Sequence, residues 1–79
     1  MNKINLKPLS QVTEGKTVVL VRVDAGHGLN NRLAAMGLLP NIRFEVVNNQ
    51  HPGPFVISLK GSRMVLGRGM ANKIMVSEI

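Results

Sequence analysis

Short segments in which apolar and polar residues alternate, separated by turns rich in glycine and proline, recur along most of this 79-residue chain. Alternation with a period of two puts every second side chain on a buried face, which is typical of half-buried β-strands. Five short strands joined by short connections favour a small closed barrel, because closure removes exposed sheet edges. The chain is therefore expected to be mainly β and to form a single domain over residues 1–79. The expected strands are residues 16–23, 42–46, 55–60, 63–66 and 73–78.

One short α-helix is expected inside this β pattern, over about residues 29–36. Leu29, Leu33 and Met36 fall at positions i, i+4 and i+7, so they form one apolar stripe that can face a core. Gly37 suits the left-handed conformation that closes many helices. A helix of this length does not persist alone, so packing on the sheet must hold it.

The remaining segments are interpreted from their turn residues. Residues 7–12 are expected to form a short turn before the first strand, and Pro40-Asn41 a turn in which Asn adopts a positive φ. Gly61-Ser62 is expected to form a tight hairpin. Residues 67–72 can make a single helical turn.

The composition excludes several classes of protein. The chain has no cysteine, which removes thiolate metal sites, cysteine nucleophiles and disulfides, and is consistent with a reducing compartment. Its two aromatic residues, Phe44 and Phe55, are expected to point inward. Uninterrupted apolar runs, such as residues 18–21, have at most four residues, far below the roughly 20 that cross a bilayer. The first six residues lack the apolar stretch of a secretory signal. We therefore expect a soluble protein in the cytoplasm.

The net charge of +6 favours an anionic partner, which could be nucleic acid, a membrane face or an acidic protein. Small basic barrels often bind nucleic acid, so this function remains an alternative. Proteins that bind single-stranded nucleic acid usually stack bases on exposed aromatic side chains, however, and no exposed aromatic side chain is expected here. Duplex binding through phosphates alone would depend strongly on salt.

Catalysis and tight metal binding find little support in the sequence. Asp24 and His27 share a loop and could hold a metal weakly, but stable sites generally need three or four converging ligands. The serines lack a clear arrangement of histidine and acidic residues around them. The glycine-rich segments at residues 26–28 and 67–69 are too short for a phosphate-binding loop and lack its Gly-Lys-Ser/Thr ending. We expect no enzyme activity, no cofactor and no dedicated metal site.

The order of several motifs resembles the FeoA family, the small cytoplasmic accessory proteins of bacterial ferrous iron transport. The resemblance covers about residues 9–76 and is most specific over residues 32–40. Two departures stand out, since Asn41 replaces a usual glycine and residues 67–70 are less charged than is usual. The motifs are Gly15 before a valine-rich strand, Arg32-Leu33, Met36-Gly37-Leu38, Pro40-Asn41, Gly53-Pro54, Gly61, Leu66, Ala71 and Ile74-Met75-Val76.

The resemblance implies a Src-homology-3-like barrel and a partner, the FeoB permease, whose cytoplasmic region carries a GTP-binding domain. The small protein would support assembly of the permease or regulate its GTP-linked transport, and would meet the membrane only through this partner. The same barrel type occurs as the C-terminal domain of metal-dependent repressors, so a detached regulatory domain is a second alternative. Such a repressor would need an N-terminal helix-turn-helix, for which this chain shows no segment.

A protein partner is expected to contact the helix and the segment that leaves it. Arg32 should point outward, Leu39 should be exposed beside the turn, and Met36 should be partly covered. Met70 offers an adaptable apolar surface beside Arg68. The sequence leaves open whether the chain forms homo-oligomers.

Overall fold

The computed structural model describes residues 6–79 and contains six strands in one antiparallel sheet. Along the sheet the strand order is β1-β6-β2-β3-β4-β5, so every neighbouring pair except β2-β6 and β1-β6 is consecutive in the chain. The strands are β1 (Leu6–Pro8), β2 (Thr17–Val23), β3 (Arg43–Asn48), β4 (Phe55–Leu59), β5 (Ser62–Leu66) and β6 (Ile74–Glu78). The helices are a 3-10 turn (Leu9–Gln11), α1 (His27–Ala35) and α2 (Arg68–Ala71).

The count of five strands was wrong by one, because the segment interpreted as a turn before the first long strand begins as β1. This strand has three residues and pairs antiparallel with β6, with Lys7 opposite Val76. The Lys7 ammonium donates a 2.7 Å hydrogen bond to Oε2 of Glu78 on the same neighbour. That hydrogen bond, together with the charge of Lys7, holds the pKa of the Glu78 carboxyl below its ordinary value.

The expected alternation within the strands is confirmed by burial. In β4, Phe55, Ile57 and Leu59 are buried, whereas Val56 and Ser58 are only partly covered. All strands except β1 contribute to one cluster of buried hydrophobic side chains, so the sheet curls around a single core. The cluster comprises Leu9, Val12, Val18, Leu20, Leu33, Leu38, Phe44, Val46, Phe55, Ile57, Leu59, Leu66, Ala71, Ile74 and Val76.

The hairpin between β4 and β5 turns one residue earlier than expected. Lys60 and Gly61 both have positive φ, at 51° and 82°, which is the conformation of a type I′ turn. Ser62, expected in the turn, is the first residue of β5 and lies opposite Leu59. This turn suits the right-handed twist of the two strands better than a type I turn would.

The helices lie close to their expected positions. α1 begins at His27, two residues before the start of the apolar stripe, and ends one residue before Met36. Gly26 precedes it in an extended conformation, and the Asn30 side-chain amide donates to the carbonyls of Ala25 (2.8 Å) and Gly26 (3.1 Å). Asn30 therefore ties the first turn of α1 to the carbonyls that precede it, whereas a serine or threonine cap would accept from the free N–H groups of that turn.

Candidate partner-binding surface

A groove of about 310 Å³ lies where α1 ends beside β2. It takes its lining from the end of β2, one side of α1 and the segment after the helix. Ala34, Leu38, Leu39 and Val23 give it a largely aliphatic character, while asparagine amides and one arginine supply the polar part. The lining residues are Arg22, Val23, Asn30, Asn31, Ala34, Leu38, Leu39 and Pro40.

The end of α1 explains why two consecutive leucines have opposite environments. Gly37 has a φ of 94°, and its N–H donates to the Ala34 carbonyl at 3.0 Å. The N–H of Leu38 donates to the Leu33 carbonyl at 2.9 Å, which completes a Schellman motif. Leu38 is thereby turned into the core and is 2% exposed, while Leu39 is 50% exposed. The expected exposure of Leu39 is confirmed.

The segment after the helix is fixed to β2 by backbone hydrogen bonds. The N–H of Asn41 donates to the Leu20 carbonyl at 2.7 Å, and the N–H of Leu20 donates to the Ile42 carbonyl at 2.9 Å. Asn41 itself has a φ of 74°, as expected for the residue after Pro40. The exposed Leu39 is therefore presented by a tethered turn, which lowers the entropy lost when a partner covers it.

Arg32 lies on the last turn of α1 and Met36 directly follows the helix, next to this segment. Arg32 is exposed, and among residues 6–79 no carboxylate pairs with it. Met36 is 38% exposed, so the apolar stripe of α1 is buried at Leu33 and opens to solvent at its end. Three of the five residues expected to contact a partner are thus close in sequence and all exposed at the helix exit.

The other two expected contact residues lie on α2 and have mainly intramolecular roles in this structure. Met70 is half-buried and packs against the core. The Arg68 guanidinium donates to Oδ1 of Asn49 at 2.7 Å and to the carbonyls of Gln50 and Gly53, both at 3.0 Å. It also stands 6.0 Å from the centre of the Phe55 ring. Arg68 therefore holds the loop between β3 and β4 onto α2.

Asn49 extends this arrangement and was missed by sequence reasoning. Its side-chain amide donates to the carbonyls of Ser10 (3.0 Å) and Val12 (2.8 Å), while its oxygen accepts from Arg68. One asparagine thus connects the 3-10 segment, the β3–β4 loop and α2. A single Asn in a loop of turn formers carries no local signal for such a role, because its partners are 37 and 39 residues away.

The loop that suggested weak metal binding has another arrangement. The Asp24 carboxylate accepts a 2.7 Å hydrogen bond from Nε of Arg22, and both side chains are about half exposed. His27 begins α1 and is exposed. Within residues 6–79 no three histidine or acidic side chains come close enough together to hold a metal ion. The same part of the chain also contains no helix long and apolar enough to span a membrane.

Comparison with known proteins gives close relatives over nearly the whole chain. A protein of Methanocaldococcus jannaschii named "Putative Fe(2+) transport protein A" is 44% identical over 71 residues, which are 90% of this chain and 85% of that protein. A crystal structure of "Iron Uptake Regulatory Protein (FeoA)" is 32% identical, with a TM-score of 0.86 over 94% of this chain and 99% of that one.

A "Manganese-dependent transcriptional repressor" shares the fold, with a TM-score of 0.84 and 20% identity. The whole of this chain matches 45% of the repressor, so the likeness concerns one part of that protein. The fold is accordingly the small Src-homology-3-like barrel that the sequence predicted, with one strand more. The expected full closure of the sheet was wrong, because within residues 6–79 β1 and β5 each pair with a neighbouring strand on one side only. Residues 7–78 match the FeoA domain, and this chain belongs to the FeoA family of iron transport.

Proposed function

We propose that this chain is a cytoplasmic accessory protein of ferrous iron uptake that binds the cytoplasmic region of a FeoB-type permease. Binding would support assembly of the permease or regulate its GTP-linked transport. Membership of the FeoA family and the 44% identity to the "Putative Fe(2+) transport protein A" support a role in iron uptake. The chain itself performs no catalysis in this proposal, and it reaches the membrane only through its partner.

The observation that carries the binding role is the tethered, half-exposed Leu39 beside the aliphatic groove at the α1 exit. A side chain of the permease could enter the groove while Leu39 and Met36 lose their remaining solvent contact. Burial of such apolar area drives most protein association, and Arg32 can pair with a carboxylate at the rim. A bound partner changes state only if this surface fits one of its states better than another.

The test is a titration of the full chain against the purified cytoplasmic domain of its own organism's FeoB-type permease. GDP and a non-hydrolysable GTP analogue are compared, at low and at physiological salt. We expect saturable binding whose affinity differs between the two nucleotides. Absence of binding with both nucleotides, to the domain and to the full permease in detergent, would refute the proposal.

Substitutions localise the contact. Leu39→Asp and Arg32→Glu should weaken binding, with about a tenfold loss for Leu39→Asp, because a charge then enters an apolar contact. Ile79→Asp is the matched control, since Ile79 is 65% exposed and lies beside Thr17, at the other end of β2 from the groove. Equal losses for Leu39→Asp and Ile79→Asp would show that the helix exit is not the contact surface.

Nucleic-acid binding is the second candidate, and the net charge of +6 is the observation in its favour. Phe44 and Phe55, the two aromatic residues, are 3% and 0% exposed, so stacking on exposed rings is excluded. Contact with duplex phosphates would still be possible for a basic domain. Duplex DNA is therefore included in the titration, and binding to DNA at physiological salt without binding to the permease would favour this candidate.

A further inference from the structure

Strand β5 lies at one end of the sheet and is paired along one side only. β4 is its neighbour, and within residues 6–79 no strand pairs with its other side. An edge of this kind presents backbone groups on which an added strand can form. None of the residues that line the groove at the α1 exit belongs to β5.

The hairpin geometry shows which backbone groups point off this edge. In a type I′ turn the N–H of Ser62 bonds to the carbonyl of Leu59, so these two form a hydrogen-bonded pair. Bonded and non-bonded pairs alternate along antiparallel strands, which makes Met64 a bonded residue and leaves Arg63 and Val65 in non-bonded pairs. The N–H and C=O groups of Arg63 and Val65 therefore point away from β4.

The side chains of the same two residues are exposed. Val65 is 67% exposed, the highest value among the exposed large hydrophobic residues. It stands opposite the half-buried Val56, which extends the apolar area onto β4. Arg63 is also exposed, and in the described part of the chain no carboxylate pairs with it. Free backbone groups, an apolar contact and a cation thus coincide on one short strand.

Charge indicates what could pair with this edge. Between Glu45 and Glu78 the sequence contains no acidic residue, whereas it contains Lys60, Arg63, Arg68 and Lys73. A second copy of the chain would bring another net charge of +6 and would be repelled, as charged edge strands generally repel their own kind. An extended segment with an acidic and an aliphatic residue two positions apart would place both on the face that carries Arg63 and Val65 and would also satisfy the backbone.

We propose that β5 is a second interaction surface, where an extended acidic segment of another protein adds a strand to the sheet beside Arg63 and Val65. In this mode of recognition the backbone bonds supply affinity and the alternate side chains supply specificity. The surface is separate from the groove at the α1 exit, so it can be engaged with or without a permease bound there.

The probe is a blocked eight-residue peptide in which glutamate and valine take turns at every second position, with threonine between them, so that both lie on one face. It is titrated into the full chain and followed by amide hydrogen exchange measured by NMR. In the free protein, Ser62, Met64 and Leu66 should be protected and Arg63 and Val65 should exchange quickly. With about nine-tenths of the protein bound, exchange at Arg63 and Val65 should slow about tenfold, since exchange then proceeds from the free fraction. A lysine–valine peptide, with lysine in place of each glutamate, should give no protection.

Two variants separate charge from backbone pairing. Arg63→Glu should weaken binding of the acidic peptide roughly fivefold, while the matched control Arg43→Glu, on a strand with neighbours on both sides, should change it little. Val65→Pro removes one N–H that points off the edge and should abolish protection at Arg63; edge strands tolerate proline at such positions. Its fold is checked by retention of protection at β2 and β3.

Several results would overturn the proposal. One is a lack of protection at Arg63 and Val65 at saturating acidic peptide, and another is equal binding of the lysine–valine peptide. Protection that appears without peptide would show that the edge is already covered, by a second copy if it depends on protein concentration and by the same chain if it does not. The peptide contains no permease sequence, so its failure would leave the proposed function untouched.

Discussion

Gly37 and Gly28 lie at the two ends of α1, and replacement of each by alanine should change stability in opposite directions. Gly37 has a φ of 94°, where an alanine costs roughly 1–2 kcal/mol relative to glycine. A Cβ at this position would also lie 3.2 Å from Cδ2 of Leu59, whose side chain is 5% exposed and packed in the core. Gly37→Ala should therefore lower the free energy of unfolding by about 2 kcal/mol.

Gly28 provides the matched comparison in the same helix. Its φ is not positive, and a Cβ built there meets no atom within 4 Å. Alanine should reduce the conformational freedom of the unfolded chain and favour the helix, which stabilises by about 0.4–1 kcal/mol. The two alanine variants should thus differ by roughly 2–3 kcal/mol, which for a domain of this size corresponds to 10 °C or more in Tm.

Urea unfolding at 25 °C, followed by far-UV circular dichroism, measures both variants under one set of conditions. The m-values should match that of the wild type, so that midpoints report stability directly. Gly37→Asn separates the two contributions, since asparagine tolerates positive φ better but carries the same Cβ. The reasoning is refuted if Gly37→Ala lies within about 0.5 kcal/mol of the wild type, or if Gly28→Ala is as destabilising as Gly37→Ala.

Three further substitutions test the core, the contacts of Arg68 with the β3–β4 loop, and the ion pair of Lys7 with Glu78. Leu33→Ala should cost roughly 2–5 kcal/mol of unfolding free energy, because Leu33 is fully buried, and an unchanged Tm would contradict its place in the core. Arg68→Lys should lose the forked contacts to Asn49 and the loop carbonyls, lowering stability by about 1–3 kcal/mol and accelerating amide exchange in residues 49–54. The pKa of Glu78 is lowered in the folded state, so its hydrogen bond to Lys7 should stabilise the fold at pH values above the pKa of the unfolded carboxyl group. This stabilisation should be lost as the pH falls through the pKa of the folded state. The stability difference between wild type and Glu78→Gln should therefore be constant near neutral pH and shrink below roughly pH 4; a difference that grows in acid would refute this sign.

The features that the sequence predicted correctly depend on local conformation. Gly37 and Asn41 have positive φ because each must reverse the chain beside a helix or strand, and their residue types show it. The alternation of Phe55, Ile57 and Leu59 reports the pleat of β4 directly. The hairpin was displaced by one residue because Lys60 adopts a positive φ, which is uncommon for lysine and has no signal in the residue type.

The features that the sequence did not predict depend on contacts between distant segments. β1 is three residues long and includes Pro8, so it shows no periodicity, and it exists because β6 lies beside it about 70 residues later. Arg68 was expected to contact a partner, and its hydrogen bonds within the chain were not predicted. Its carbonyl acceptors become visible only when the β3–β4 loop is placed over α2.

The groove at the α1 exit, the candidate binding surface, shows how far prediction from local sequence reaches. Exposure of Leu39 followed from the Schellman motif, because the left-handed Gly37 turns Leu38 inward and the next side chain outward. The opposite wall is formed by Arg22 and Val23, and their position depends on the pairing of β2 with β6, which shifts register between Leu20 and Arg22. Such an irregularity changes the direction of the side chains that follow it, and a valine-rich sequence gives no signal of it. Exposure of Leu39 can therefore be predicted from residues 33–39 alone, whereas the cavity beside it requires the register of strands that are more than 50 residues apart.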